Sequence, residues 1–235
     1  MIYVTGDLHG DISRFKSKEM RRLKKNDTLL VCGDFGFLWN GSKEEKKQLD
    51  WIGKRRYNVL FVEGTHENME LLNTYPQQEW QGGRARQISG RLRQLCRGQI
   101  FELEGNSIFA FGGGTSEDSD ARSEADNWWS SELPSQEEVD SARRLLEKRG
   151  GQVDFIITHQ PSLQIRQLLN MDANDCSILD VFLDEVRSSS KFSCWFFGSL
   201  HLDKVIPPTE VAVFRQVLPL ARLGAPARQT ALKSR

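Results

Sequence analysis

The chain has 235 residues, and its 32 Lys and Arg residues balance 32 Asp and Glu residues, so its formal net charge is zero. With 38% hydrophobic residues, six Trp and thirteen Phe, it can bury a core, which excludes global disorder. A protein that grips long nucleic acids is usually basic, so the neutral balance argues against extended nucleic-acid binding. We expect a single domain over residues 1–220 and a disordered basic tail at 221–235.

The four cysteines are spread along the chain without a C-x-x-C pair. This spacing argues against a ribbon-type or finger-type zinc site and favours free thiols in a reducing compartment. No run of about 18 apolar residues is present, so we expect no membrane span. The first residues are typical of a strand and lack the pattern of a signal peptide. These features predict a cytoplasmic protein.

Strands and helices are predicted to alternate along the chain. Short β-branched or aromatic runs predict strands at residues 2–5, 28–32, 59–62, 100–103, 107–111, 153–158, 192–197 and 211–215. Helical spacing predicts helices at 13–25, 42–57, 68–75, 135–149, 162–169 and 177–189. The fourth helix has a clear start, because Ser135 precedes Glu138 by three residues, as in a capping box.

This order of elements also predicts the kind of sheet. A first half in which strand and helix alternate is typical of a parallel sheet covered by helices. Denser strands around residues 87–111 and 203–215 predict antiparallel additions and a second or mixed sheet.

Five of the predicted strands end in a turn that carries Asp or His. These residues, in chain order, are Asp7, His9, Asp34, His66, His159 and His201. Because the carboxyl ends of strands converge on the ligand crevice of an open α/β sheet, we expect these side chains at one edge. Each turn alone is ordinary, but five in order, with no histidine left over, indicate one metal site. Mn, Fe, Ni, Zn and Co all accept carboxylate and imidazole ligands, so the ligand types select none of them.

The series of turns resembles the motifs of the calcineurin-like metallophosphoesterase superfamily, which run D-x-H, G-D, G-N-H-[DE], a strand-end His and G-H-x-H. The resemblance covers roughly residues 1–215. Further stretches are similar to a small bacterial branch: Arg97-Gly98-Gln99, Gly112-Gly113-Gly114, Trp128-Trp129 and Glu132-Leu133-Pro134-Ser135. The resemblance implies an α/β (α+β) fold, a four-layer sandwich of two mixed β-sheets with helices on both outer faces.

The resemblance also implies a ligand set for two metals. One metal would be held by Asp7, His9 and His201, and Asp34 would bridge to the second, which His159 would also hold. The two metals would lie about 3.5–4 Å apart and bind a hydroxide and the phosphoryl oxygens for in-line displacement.

Three further residues are candidates for contact with the substrate or the reaction. By resemblance, His66 would protonate the leaving oxygen, beside Glu67. Arg97 could clamp a phosphate through its guanidinium, although an Arg after an apolar strand is more often part of a surface ion pair.

The chain departs from the family pattern at two positions, both of which hold the second metal in the family. Thr65 replaces the Asn, and Ser199 replaces the first His of G-H-x-H. Neutral hydroxyls are poor ligands for soft or borderline divalent ions. We therefore expect one tight site and a second that is weak, empty or occupied by a harder ion such as Mg²⁺.

The resemblance implies a metal-dependent phosphoesterase, which hydrolyses a phosphomonoester or phosphodiester of a small phosphorylated substrate by metal-activated hydroxide. The alternative is a degenerate member of the superfamily that holds one metal or none and serves as a binding or scaffold protein. The intact residues, His66 and Asp34 among them, favour the enzyme, whereas Thr65 and Ser199 favour the alternative. The sequence does not indicate the substrate, the native metal or the oligomeric state.

Overall fold

The computed structural model describes residues 1–115, 129–171 and 176–220. Its strands are β1 Ile2–Thr5, β2 Thr28–Cys32, β3 Asn58–Val62, β4 Gln77–Trp80, β5 Gly83–Ser89, β6 Leu92–Leu95, β7 Gln99–Leu103, β8 Asn106–Phe111, β9 Phe155–Thr158, β10 Cys194–Phe197, β11 Lys204–Ile206, β12 Glu210–Ala212 and β13 Leu218–Pro219. Its α-helices are α1 Lys18–Arg22, α2 Lys43–Gly53, α3 Met69–Asn73, α4 Gln136–Lys148, α5 Leu163–Leu168 and α6 Ile178–Ser189. The expected tail and Trp128 lie outside the described residues.

The strands form two mixed sheets. In the first, the order is β13-β1-β2-β3-β6-β5-β4, with β1, β2, β3 and β6 parallel and the other strands antiparallel to their neighbours. In the second, the order is β11-β12-β10-β9-β8-β7, with parallel strands inside and an antiparallel strand at each edge. The parallel strands of each sheet end at one edge, and that edge carries the candidate site.

The side chains of the strands alternate between two hydrophobic layers, as the period of two requires. In β2, Leu30 and Cys32 pack between the sheets against residues such as Phe196, whereas Leu29 and Val31 pack against the helices on the outer face. The second sheet has its own outer cluster under α4 and α6, which includes Trp195. The layers run helix, sheet, sheet, helix, so the predicted two-sheet α/β fold is confirmed.

Capping side chains set where the helices begin. Ser135 and Glu138 form the predicted capping box at the start of α4. The helix predicted over residues 13–25 is shorter, because Ser17 adopts an extended backbone and its hydroxyl accepts a hydrogen bond from the Met20 N–H. A cap at this position starts a new helix, so a turn of 3-10 helix at Arg14–Lys16 precedes α1.

The sequence patterns missed the edge of the first sheet. Strand β4 has the sequence QQEW, with three exposed polar residues, so it carries no alternation of apolar side chains. Strand β13 has only two residues. No helix in the described ranges combines the length and the apolar character that a membrane span requires.

Candidate metal centre

The loops that follow β1, β2, β3, β9 and β10 bring the predicted site residues together. His9 Nε2 lies 2.8 Å from His201 Nε2 and 3.7 Å from Asp34 Oδ2. On the other side of Asp34, its Oδ1 lies 3.6 Å from His159 Nε2, and Asp7 Oδ1 lies 3.5 Å from His159 Nδ1. The site therefore draws side chains from both sheets, as the resemblance implies.

The backbone at these positions is left-handed. Asp7, His9, Asp34, Ser199 and His201 have φ angles of 44°, 48°, 44°, 65° and 50°. They make up five of the nine non-glycine residues with positive φ in the described part of the chain. Such conformations cost roughly 1–3 kcal/mol each and cluster at sites where geometry matters for function.

Glycines allow the five loops to approach each other closely. A side chain at Gly33 would overlap the His159 imidazole, and one at Gly64 would overlap the Asp34 carboxylate. A Cβ at Gly198 would lie 2.7 Å from Asp7 Oδ1, and one at Gly114 would lie 3.0 Å from His159 Cδ2. The Gly112–Gly114 turn thus lies near the site, as its resemblance suggests.

Asp34 is the centre of the arrangement. Its Oδ1 accepts hydrogen bonds from the backbone N–H groups of Thr65 at 2.7 Å and His66 at 3.0 Å. Its Oδ2 lies 2.9 Å from His66 Nδ1. Burial opposes ionisation of Asp34, but the nearby imidazoles of His159 and His66 outweigh it and hold its pKa below the usual range. Asp34 is therefore a carboxylate with its charge in place.

Two ligand groups share Asp34. His9 and His201 form one group with it, and Asp7 and His159 form the other; within each, the candidate ligand atoms lie within 4.8 Å of one another. The shared carboxylate fits the expected bridging role. The resemblance implies that Asp7 lies with His9 and His201, but in the structure Asp7 lies with His159. Each position therefore has three candidate protein ligands among the described residues.

The donors suit a divalent metal. Asp7 Oδ2 is buried and makes no hydrogen bond with any described residue, which is costly for a carboxylate unless a cation compensates. Burial raises the pKa of Asp7 to about 7, although His159 opposes the shift. Burial also opposes a charge on His159, yet Asp34 and Asp7 raise its pKa. Carboxylates and imidazoles placed in this way fit a transition metal.

Glu67 is fully buried, and both of its carboxylate oxygens are occupied. Oε1 accepts a hydrogen bond from the Gly36 N–H at 2.9 Å, and Oε2 accepts one from the Gly64 N–H at 2.6 Å. Burial, with the charge of Asp34 second, raises its pKa to about 7. Glu67 was expected beside the proton donor as part of the reacting group. Its geometry corresponds instead to a residue that joins the loops after β2 and β3 and positions Asp34 and His66.

The two substituted positions lie where the resemblance places them. Thr65 is buried, and its hydroxyl lies 3.2 Å from His66 Nδ1 and 3.5 Å from Asp34 Oδ1. Ser199 donates its backbone N–H to Asp7 Oδ1 at 3.0 Å. Both residues therefore contact proposed ligands.

The structure places Arg97, the candidate for phosphate contact, in a buried ion pair. The Arg97 guanidinium is buried, lies 2.5 Å from Glu63 Oε1 and donates hydrogen bonds to the carbonyl oxygens of Ser131, Glu132 and Leu133. These partners tie the end of β6 to the segment that precedes α4. The ion-pair role explains its position, which a strand-end Arg in a sequence does not reveal.

Sequence reasoning also missed Arg14. Its guanidinium donates hydrogen bonds to the carbonyl oxygens of Asp7 and Gly6 and to that of Phe214, whose ring packs 5.0 Å from the His201 imidazole. Arg14 thus holds the loop of Asp7 and the Phe214 segment that packs against His201, and both Asp7 and His201 are proposed ligands. An Arg in a polar helical segment gives no signal for such a role.

Two mixed sheets flanked by helices, with Asp and His side chains converging from strand ends around a shared carboxylate, are typical of metal-dependent phosphoesterases. The family model of calcineurin-like phosphoesterases matches residues 1–201, and the chain belongs to that family. Membership supports metal-dependent phosphoester hydrolysis and divalent metal binding in general terms. A search of curated proteins finds no match to the chain.

Proposed function

We propose that the chain is a metal-dependent phosphoesterase that hydrolyses small phosphomonoesters or phosphodiesters in the cytoplasm. The observation that carries the proposal is the carboxylate of Asp34, which two groups of possible ligands share. The family match supports the general activity. Free thiols at Cys32, Cys96 and Cys194, all buried, support a reducing compartment.

We assign Asp7, His9, Asp34, His159 and His201 as the metal ligands. Divalent ions held by such residues polarise phosphoryl oxygens and lower the pKa of a bound water, which supplies a nucleophile at neutral pH. The chain itself contributes the fixed orientation of these side chains. Left-handed turns and close glycine contacts hold them, so no large rearrangement is needed when an ion binds.

His66 is the proposed proton donor to the leaving oxygen. Its side chain is 41% exposed, and Asp34 Oδ2 lies 2.9 Å from its Nδ1, which orients the ring. The other ring nitrogen, Nε2, would then deliver a proton to the leaving group. Glu67 serves as a positioning residue through the Gly36 and Gly64 N–H groups.

We propose unequal affinity at the two metal positions. His9 and His201 give the first position two imidazoles together with Asp34. The second position, with Asp7, Asp34 and His159, has two carboxylates and is bordered by the hydroxyl residues Thr65 and Ser199 where the family has stronger ligands. The first position would hold a transition ion tightly, and the second would hold one weakly or take a harder ion.

The alternative function, a degenerate family member that serves as a binding or scaffold protein, has one specific observation in its favour. This observation is the presence of the hydroxyl residues Thr65 and Ser199 at ligand positions. A binding or scaffold protein would retain the ligand positions and bind an ion without turning over a phosphoester. Such a protein would not need a proton donor, yet His66 is intact and is oriented by Asp34. The enzyme is therefore the better-supported function.

The test combines a metal count per chain with turnover of p-nitrophenyl phosphate and bis-p-nitrophenyl phosphate in Mn²⁺. We expect hydrolysis of at least one compound, loss of activity in a chelator and recovery when Mn²⁺ is restored. Tight binding of an ion without hydrolysis of either compound would favour the binding protein. Two ions per chain after exhaustive dialysis would contradict the unequal affinity of the two positions.

A further inference from the structure

A second polar cavity lies at the same edge of the first sheet as the candidate metal centre. Its volume is about 190 Å³, far above the roughly 10–15 Å³ that one water requires. Strand β6 is parallel to β3, so Cys96, which follows β6, lies at the edge where Thr65 and His66 follow β3. The antiparallel strand β5 begins at that edge, with Arg84 as its second residue, and Glu63 and Met69 on either side of the His66 loop also line the cavity.

Two arginines line this cavity without carboxylate partners. The exposed Arg84 guanidinium makes no hydrogen bond or ion pair in the part of the chain that the structure describes. Arg86 donates to neutral groups: Asn73 Oδ1 at 2.7 Å, Gln94 Oε1 at 3.1 Å and the Tyr75 carbonyl at 3.1 Å. Both guanidinium charges are therefore available to an anion.

The two carboxylates that line the cavity are already engaged. Glu63 is paired with Arg97 at 2.5 Å and accepts a hydrogen bond from Gln94 Nε2 at 2.7 Å. Glu138 accepts hydrogen bonds from Ser135 at the start of α4 and lies 3.5 Å from Arg97 Nη1. The lining holds three arginines and two glutamates, so its net charge is +1, and Arg84 and Arg86 carry the positive charges that no carboxylate of the described residues pairs with.

The cysteine of the cavity does not oppose an anion. Cys96 Sγ lies 3.5 Å from Arg86 Nη1, and burial raises the pKa of its thiol to about 11 although Arg86 and Arg84 lower it. The thiol is neutral at pH 7.

We propose that this cavity binds a phosphate-sized oxyanion apart from the metal centre. Guanidinium forks recognise phosphate through paired N–H donors. Arg84 presents such a fork, Arg86 adds its positive charge, and Ser131 and Ser141 belong to the same lining. The anion is either free inorganic phosphate or a second phosphate group of the substrate. The second source rests on the proposed function, whereas binding of the anion does not.

The first experiment measures binding of inorganic phosphate to the full chain by calorimetry in excess chelator, so that no metal contributes. We expect one saturable site. Arg84→Gln should weaken it by a factor of ten or more, since one fork is lost. Arg144→Gln, which removes an exposed charge from α4 outside the cavity lining, is the matched control and should leave the affinity unchanged.

The Arg84 guanidinium is exposed and makes no hydrogen bond or ion pair with the described residues, so its substitution should leave the melting temperature unchanged. Arg86→Lys provides a second variant, which keeps the positive charge but loses the guanidinium. Alone, it should weaken binding less than the double variant Arg84→Gln with Arg86→Lys does. Absence of saturable binding, or equal losses in Arg84→Gln and Arg144→Gln, would overturn the proposal. These readouts do not depend on turnover, so they stand even if the proposed function fails.

A second experiment separates the two sources of phosphate. With Mn²⁺ present, KM is measured for p-nitrophenyl phosphate and for an aryl ester that carries a second phosphate group. A tenfold rise in KM in Arg84→Gln for the second compound alone identifies a substrate subsite. Unchanged KM for both, with calorimetric binding lost, identifies a site for free phosphate. An equal rise for both compounds would contradict a cavity separate from the metal centre.

Discussion

At the scale of single residues, backbone strain and ligand position coincide. Left-handed φ angles at Asp7, Asp34 and His201 place each carboxylate or imidazole at the start of its loop, facing the common centre. Such strained backbone persists only where the surroundings enforce it. The hydrogen bonds of Arg14 and Glu67 to these loops hold the backbone in that conformation. The rigid loops provide the preorganisation that electrostatic catalysis requires.

Restoring the family ligands should raise activity. Thr65→Asn together with Ser199→His would add an amide oxygen and an imidazole beside Asp34 and Asp7, where hydroxyl and backbone groups now lie. Because one electrostatic contact is typically worth roughly 10²–10³ in rate, we expect Mn²⁺-dependent turnover to rise by about an order of magnitude or more. Each single variant should gain less, since the two positions are coupled. Turnover and metal count of all four chains check this. A double variant that binds a second ion without faster hydrolysis would favour the binding-protein function.

Removing the shared charge should disable both positions. Asp34→Asn keeps an oxygen that can accept the Thr65 and His66 N–H groups, so the fold should persist, but the first ligand group loses its only carboxylate and the second keeps only that of Asp7. We expect the metal count to fall sharply and turnover to fall by roughly 10²–10³ or more. Asp11→Asn, in an exposed turn where Asp11 accepts the Ser13 N–H, is the control. An Asp34→Asn chain that still binds metal like the parent would exclude the shared-ligand arrangement.

At the scale of the elements, the sequence was informative where apolar strands end in polar turns. Strands β1, β2, β9 and β10 are largely buried on both faces, so a nearly continuous apolar run marks each of them in the sequence. The Asp or His that belongs to the site follows shortly after the end of each run. The polar edge strand β4 has no such pattern, and its place follows from pairing with β5 rather than from its own residues. The partners of Arg97 carry no sequence signal for a related reason, because Glu63 and Glu132 come from distant segments.

Position 33, in the turn after β2, should tolerate no side chain. Gly33 has φ of 81°, and a Cβ there would overlap the His159 imidazole, whereas Gly105 has φ of 77° with nothing within 4 Å. Both alanine variants incur the strain of a left-handed residue, about 1–2 kcal/mol. We expect Gly33→Ala to lose a further 1–3 kcal/mol or so from overpacking, and to bind metal more weakly because His159 is displaced. Urea unfolding and metal titration of both variants provide the comparison. Equal destabilisation by the two changes would show that His159 can move away at no cost.

At the scale of the whole molecule, the site joins the two sheets. Asp7 follows β1 of the first sheet, and its Oδ1 lies 3.5 Å from Nδ1 of His159, which follows β9 of the second. An ion held by both would act as a link across the sandwich. Since a ligand that binds only the folded chain stabilises it in proportion to the logarithm of its concentration over Kd, metal should raise the unfolding free energy of the entire fold.

The pH dependence of stability should reverse when metal is bound. Burial raises the pKa of Asp7 from 3.8 to about 7, so in this interval the folded chain without metal keeps a proton that the unfolded chain has released. Stability then falls as pH rises through the interval, by about 4 kcal/mol at most for a shift of about three units. The raised pKa of His159 acts with the same sign, because its favoured proton is lost as pH rises.

Metal binding requires both groups to lose their protons, so the stabilisation by Mn²⁺ should instead grow between pH 5 and 8. Chemical unfolding at several pH values in that range, with chelator and with Mn²⁺, measures both slopes. Asp7→Asn should make the slope in chelator shallower, with Glu67 and His159 keeping their part of it, and should weaken the effect of Mn²⁺, whereas Asp11→Asn should change neither. If stability in chelator rises with pH in the parent chain, then Asp7 is ionised without a metal, and some other group must compensate its buried charge.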